Sequence, residues 1–299
     1  MTLQRTLRRQ VNCAGIGLHS GHKVTLTLKP APADSGIRFR RTDLGVEIPA
    51  SVAYVSGTNH ATVLSSNGAT VETVEHLLAA IASMGLDNAV VELDHREVPV
   101  MDGSSAPFVY LIQEAGLKTL PTPRRYLKVL RPITVSRGDK LISLYPSDFF
   151  KVTYSISFDH PLLRHQSHTL QVNEEAFIEH IAPARTFGFL HEVELLRQQG
   201  LAQGGSLENA IVLSETGVLN NQLRYEDEFV RHKILDAIGD LSLVGYPIIG
   251  HLVAHRAGHA LHTAFAKRVL EDADAWKLVE LAPEPAAVFG TAAVPVKAN

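Results

Sequence analysis

The run "RHKILDAIGD" sets His232, Lys233, Asp236 and Asp240 into one sector of a helix. At about 100° per residue, Asp236 lies roughly 40° round from His232, Asp240 about 80° and Lys233 about 100°. A His and an Asp one turn apart can aim two donor atoms at one metal ion. The same spacing fits a solvated face carrying an i,i+4 ion pair, so two donors alone do not define a site. Three further groups carry chemistry of a matching kind. Glu75-His76 opens an apolar helix and sets a carboxylate base beside an imidazole. With Ala79 in place of a second histidine this is not the HExxH pattern, and a Glu72-His76 contact across one turn is the plainer reading. His259 follows Gly258 at a strand end in "RAGHAL", and Thr186 sits in "ARTFGF". A structural loop histidine and an aromatic turn in the core would look the same.

Together these residues describe hydrolysis. His76, His232 and Asp236 supply two imidazoles and a carboxylate, the donor count of a catalytic zinc centre whose fourth position is left for water. Zinc there lowers the pKa of water toward about 7 and polarises a carbonyl. Glu75 would take the proton. A protonated His259, held through its other ring nitrogen by Asp240, would donate to a departing amine. Lys233 and the Thr186 hydroxyl would face the developing oxyanion. Zinc is the expected cofactor, and the donor set admits ferrous iron as well. The same ligands would also suit a zinc that staples two domains without catalysis, or an amidase acting on a sugar or a peptide.

The composition bounds what surrounds such a site. The chain has 299 residues, 45% hydrophobic and 20% charged, enough for two medium domains or one large one with developed cores. A net charge of -3 gives no pull toward a nucleic-acid polymer, so cations for an anionic ligand must be local. Cys13, the single cysteine, excludes a disulfide framework and a thiolate-rich cluster and fits a reducing cytoplasm. The basic N-terminus lacks an apolar stretch of the secretory kind, and no run approaches the roughly 20 apolar residues that cross a bilayer. A cytoplasmic monomer without a transmembrane segment is expected.

The elements that must position these groups are partly visible. "HKVTLTLK" alternates with a period of two, and "GLDNAVVELDHREVPV" carries a second strand signal. Between them "TVETVEHLLAAIASMG" spaces Val74, Leu77, Leu78 and Ile81 as a helix that stops at Gly85. A short helix is expected at "APFVYLIQEAG". "KTLPTPRR" then breaks every period, which places a domain boundary there: residues 1-121, a linker at 122-125, and a second domain over 126-282. Strands recur at "YLKVLRPITV", "KLISLYP", "FKVTYSISF" and "IIGHLVAHRAG", and residues 283-299 read as a loose tail. Without regular βαβ alternation the class is α+β. "EHLLAAIASMGLDNAVVEL" and "RHKILDAIGDLSLVGYPIIGHLVAH" both run from His through a helix and a Gly into a strand, a faint internal echo that would bring His76 and His232 to one interface.

The motifs "GIGLHSG", "TVEHLLAA", "VPVMDGSSAPFV", "ARTFGF", "GGSLENAIV", "RYEDEFVRHKILDAIGDL" and "AGHAL", in this order from about residue 4 to residue 262, resemble the UDP-3-O-acyl-N-acetylglucosamine deacetylase family, zinc amidases of lipid A biosynthesis. The resemblance implies zinc on His76, His232 and Asp236, Glu75 as general base, His259 as acid or electrostatic partner oriented by Asp240, and Thr186 and Lys233 at the scissile carbonyl. It implies two similar α+β domains in a sheet-helix-helix-sheet sandwich, with the site at their interface and an acylated UDP-sugar as substrate. It also implies an inserted apolar passage near residues 188-210, lined by Phe187, Phe189, Leu195, Leu196 and Leu201, with Leu18, His19, Phe158 and Gly205 as further substrate contacts. The chain departs from the family at Leu190, His191 and Glu192, where Met-Arg-Asp is usual, at Arg256, where Lys is common and a cation for a diphosphate is kept, and at His262, where Asn is common.

Overall fold

A computed structural model describes residues 2–219 and 222–282; the tail expected at 283-299 lies outside the described residues. Strand β1 (Leu3–Leu7) is followed by β2 (Val11–Ile16), β3 (Lys23–Pro30), β4 (Ile37–Arg41) and β5 (Val46–Pro49). A small three-stranded sheet comes next, β6 (Val55–Gly57), β7 (Val63–Ser66) and β8 (Ala69–Val71), then α1 (Glu75–Ser83), β9 (Ala89–Leu93) and α2 (Ala106–Ala115). Strand β3 turns Val24, Leu26 and Leu28 inward, as the period of two requires. Helix α1 is apolar apart from Glu75, His76 and Ser83, and every residue from 75 to 81 is buried. It ends in a Schellman turn: Gly85, at φ +67°, donates its N–H to Ala82, and Leu86 donates to Ile81.

The second half opens with β10 (Leu117–Pro123) and β11 (Arg125–Val129), then β12 (Ile133–Arg137), β13 (Lys140–Tyr145), β14 (Phe150–Ile156), β15 (Gln166–Gln171) and α3 (Glu174–His180). Next are β16 (Phe187–Phe189), α4 (Leu190–Gln198), β17 (Ile211–Leu213), α5 (Glu228–Ser242), β18 (Ile248–His255), α6 (His259–Glu271) and β19 (Trp276–Glu280). The proline-rich segment expected to separate two domains carries β10, which pairs antiparallel with β1 in a two-stranded sheet. With only one neighbour in that sheet, Pro121 and Pro123 can point their missing N–H away from the ladder, and a register shift between Leu3 and Arg5 absorbs the rest. "YLKVLRPITV" is two strands, β11 and β12, separated around Pro132.

The two main sheets repeat one topology. The first runs β2-β3-β9-β4-β5, and the second contains β12-β13-β18-β14-β15. In each, three pairings are antiparallel, and the central strand pairs parallel with the fourth in its row, β9 with β4 and β18 with β14. Each central strand directly follows a helix, α1 or α5, so the echo between the two His-containing segments is a structural repeat. The fold is α+β, a sheet-helix-helix-sheet sandwich in which α1 packs along α5 over one continuous core. That approach is close: a Cβ on Gly239 would collide with the backbone carbonyl of Glu75. The crossing therefore brings the first turn of α1 onto the middle of α5.

Candidate metal centre

Helix α5 has no solvated polar face. His232, Asp236 and Asp240 are 3%, 2% and 0% exposed, which removes the surface ion-pair reading. On α1, Glu75 and His76 are equally enclosed. The Nε2 atoms of His76 and His232 lie 3.6 and 3.4 Å from Asp236 Oδ1, and the two imidazole rings stand edge to face at 4.9 Å. Donors of a tetrahedral site with metal distances of ~2.0–2.1 Å are separated by roughly 3.3 Å, so these three atoms have the spacing of ligands to one ion. Asp236 Oδ1 is buried and accepts no hydrogen bond, a costly state for a carboxylate oxygen unless a cation meets it. The cluster can hold a metal ion.

The three candidate ligands are themselves held. His232 Nδ1 donates to the Ala184 carbonyl at 3.1 Å, which fixes the tautomer that leaves Nε2 free. The Ser105 hydroxyl donates to the backbone carbonyl of His76 at 2.7 Å. Burial lowers the His232 pKa to about 4, keeping the ring neutral and ready to ligate. Burial would raise Asp236, but Lys233 and His232 outweigh it and hold the carboxyl well below the usual range. Lys233 donates to Asp236 Oδ2 at 2.6 Å, and this pairing overcomes burial to keep the ammonium charged.

Beside the cluster stand a second carboxylate and a third imidazole. Burial pushes the Glu75 carboxyl up against the opposing pull of His259 and His76. His259 is the first residue of α6, where a loop after a strand was expected, and its Nε2 lies 3.9 Å from both Glu75 Oε1 and Asp236 Oδ2. Its Nδ1 donates to Asp240 Oδ2 at 2.8 Å. Burial would lower the His259 pKa, but Asp240, then Glu75 and Asp236, raise it to about 9. Thr62, on the loop before β7, ties the pair together and went unnoticed in the sequence. Its N–H donates to Glu75 Oε2 at 3.0 Å and its hydroxyl to Asp240 Oδ1 at 2.5 Å. One threonine in "NHATVL" carries no periodic or motif signal by which it could have been found.

The remaining expected residues fall into three groups, with Arg256 apart from them. Thr186 is locked through its backbone, its N–H donating to Gly103 and its carbonyl accepting from Ile211, two residues beyond the Ala184 carbonyl that orients His232. Phe187 stacks edge-on to His232 at 6.2 Å and to Phe158 at 6.0 Å, and Phe158 reaches Phe189 at 5.8 Å, so an aromatic row leads away from the metal cluster. Leu196 and Leu201 are partly buried, whereas Leu195 is 54% exposed and does not line an enclosed path. The third group converges from the other half of the chain. Gly204 donates its N–H to the Leu18 carbonyl, Gly205 lies beside the Leu18 side chain, and His19 is buried with neither ring nitrogen bonded. Two backbone N–H groups, of His19 and Ser20, hold Glu97, itself fully buried. Arg256, at φ +52°, pairs with Asp139 at 2.9 Å.

The sequence profile of the UDP-3-O-acyl N-acetylglycosamine deacetylase family matches residues 4–271. Three proteins named UDP-3-O-acyl-N-acetylglucosamine deacetylase are similar to the chain over nearly its whole length. That of Pseudomonas entomophila is 51% identical over 284 residues, 93% of this chain and 94% of the relative. That of Anaeromyxobacter dehalogenans is 51% identical over 296 residues, 99% and 96% of the two chains. That of Syntrophotalea carbinolica is 50% identical over 283 residues, 94% and 92%.

Proposed function

The chain belongs to the UDP-3-O-acyl N-acetylglycosamine deacetylase family, and from that membership we propose how its residues divide the work of deacetylation. The reaction is hydrolysis of the N-acetyl amide of a UDP-3-O-acyl-N-acetylglucosamine, giving acetate and the free amine, the lipid A step that the resemblance implies. The metal is zinc, held by His76, His232 and Asp236. When bound, it supplies Lewis acidity toward a water and the amide carbonyl. The single observation that carries this reading is the unpartnered Asp236 Oδ1 at tetrahedral spacing from two imidazole nitrogens, with a buried carboxylate beside them.

Glu75 takes a proton from the attacking water as its oxygen bonds to the amide carbon. Its raised pKa makes it a stronger base than a solvated glutamate, and the Thr62 N–H turns its other oxygen away. As the C–N bond breaks, His259 gives its Nε2 proton to the leaving nitrogen, and Asp240 holds the ring so that Nε2 faces the site. Lys233 and the Thr186 hydroxyl stabilise the charge that builds on the carbonyl oxygen. The aromatic row Phe158, Phe187 and Phe189, with Leu196, takes the acyl chain. Leu18, His19 and Gly205 contact the sugar side, and Arg256 exchanges Asp139 for a phosphate. The first half of the chain, 1-121, thus brings α1 to the chemistry, and the second, 126-282, brings α5 and the start of α6.

Acetate release from the 3-O-acylated UDP-sugar, measured beside the unacylated one, tests this reading. The acylated compound should turn over with the higher kcat/KM by orders of magnitude. Equal rates would remove the acyl passage from the account, and no acetate from either would remove the reaction.

A further inference from the structure

The carboxylate of Asp240 is fully buried, and His259 is only one of three side chains that bind it. Oδ1 accepts from the Thr62 hydroxyl, while Oδ2 accepts from His259 Nδ1 at 2.8 Å and from His262 Nδ1 at 2.9 Å. His262 is 0% exposed, and its ring stands at 84° to that of His259, so the two donors reach one oxygen from different directions. The far nitrogen of His262, Nε2, lies 3.0 Å from the Tyr154 hydroxyl, which also donates to the Ala257 carbonyl at 2.7 Å. Tyr154 and Ala257 belong to the frame that carries His259: the tyrosine is on β14, and Ala257 ends the connection from β18 to α6.

We propose that His262 is a positioning residue for the deacetylation, acting through Asp240 on His259; this rests on the role given to His259 above. A carboxylate can rotate about its last bond, and a single imidazole donor would leave that rotation soft. Donors on both lone pairs of Oδ2 and a third on Oδ1 fix the plane of the group. The fixed plane sets the direction of the His259 ring and hence where Nε2 points. His262 serves as the neutral ring with its hydrogen on Nδ1, the state that burial favours; Nε2 then accepts from the tyrosine hydroxyl, whose hydrogen is shared with Ala257. Removing the His262 donor leaves a buried lone pair on Asp240 unmet and the carboxylate free to turn toward other partners.

The test is a double-mutant cycle on the metal-loaded protein, read as kcat and KM with the acylated substrate. His262→Leu keeps bulk and deletes the donor. It should lower kcat about tenfold, as expected for a hydrogen bond to a charged group, with KM and metal content unchanged. His262→Asn restores an N–H donor and should recover most of that loss. In a His259→Ala background, His262→Leu should cost little more, because its effect passes through the missing ring. An equal fractional loss in both backgrounds, or full kcat in His262→Leu, would overturn the proposal, since a role in packing alone does not depend on His259. Should His262→Leu fail to fold, Tyr154→Phe keeps His262 and removes the support behind Nε2 together with the bond to the Ala257 carbonyl. It should lower kcat severalfold in the parent and not in His259→Ala, and equal losses there would again overturn the proposal. His259→Ala with undiminished turnover would strike the acid role of His259 instead.

Discussion

The crossing of α1 and α5 and the segment around α4 are built to opposite standards. At the crossing, Glu75, His76, His232, Asp236 and Asp240 are buried, and neighbouring groups hold several of them: Glu75 by Thr62, His232 by Ala184, Asp240 by three donors. In α4 no residue is buried, and Leu190 and Leu195 are exposed. A donor set must be held to within about half an ångström to bind an ion and direct a proton, whereas an acyl chain needs only an apolar surface that can adapt. On the proposed reading, the crossing sets reaction type and the α4 segment sets substrate preference. Substitutions should therefore separate cleanly into those that abolish chemistry and those that change what is accepted.

The largest effect is expected at the ligands. Asp236→Ala or His232→Ala should lose bound metal and leave turnover below about one thousandth of the parent, checked by metal analysis beside rates. Retained metal in both would mean that the cluster is not the binding site. The next effect is on pH. With its pKa raised to about 9, His259 keeps its proton through neutrality and loses it as pH rises through about 9, so activity should fall on that limb. Glu75 must be ionised, and its pKa is pushed above the ordinary glutamate value, so activity should also fall on acidification, at a pH above that of a free carboxylate. A profile flat from neutrality past pH 10 would remove His259 as the acid. The smallest effect is expected at the passage. Phe189→Ala should raise KM for a long-acyl substrate about tenfold and leave kcat nearly unchanged. A loss confined to kcat would place that ring in the chemistry instead of the passage.

How far these regions can be read from sequence differs for physical reasons. Helix α1 was legible down to its stop, because Leu77, Leu78 and Ile81 keep a helical period and glycine adopts the left-handed turn at residue 85 without steric cost. The angular placement of His232, Asp236 and Asp240 was legible too, but not their burial, since a polar sector against a partner helix and one against water have the same pattern. The deciding contact is the approach of Glu75 to Gly239, 164 residues apart in sequence (239 minus 75), and no local period encodes it. The strand β10 was hidden because its prolines forbid a central strand and say nothing about a two-stranded edge. Thr62 and the His262–Tyr154 pair were beyond reach in a different way: ordinary residues become part of the site only through the groups they face. The resemblance gathered the candidate ligands and the proposed acid-base pair, while the supporting residues emerged from hydrogen bonds.

Glu75→Gln addresses the central claim most directly, because it keeps the shape and the ligand set while removing the base. Metal content and acetate release should be measured on the same preparation. The account predicts an undiminished complement of metal with turnover reduced at least about a hundredfold. Full turnover, or loss of the metal along with the rate, would contradict it.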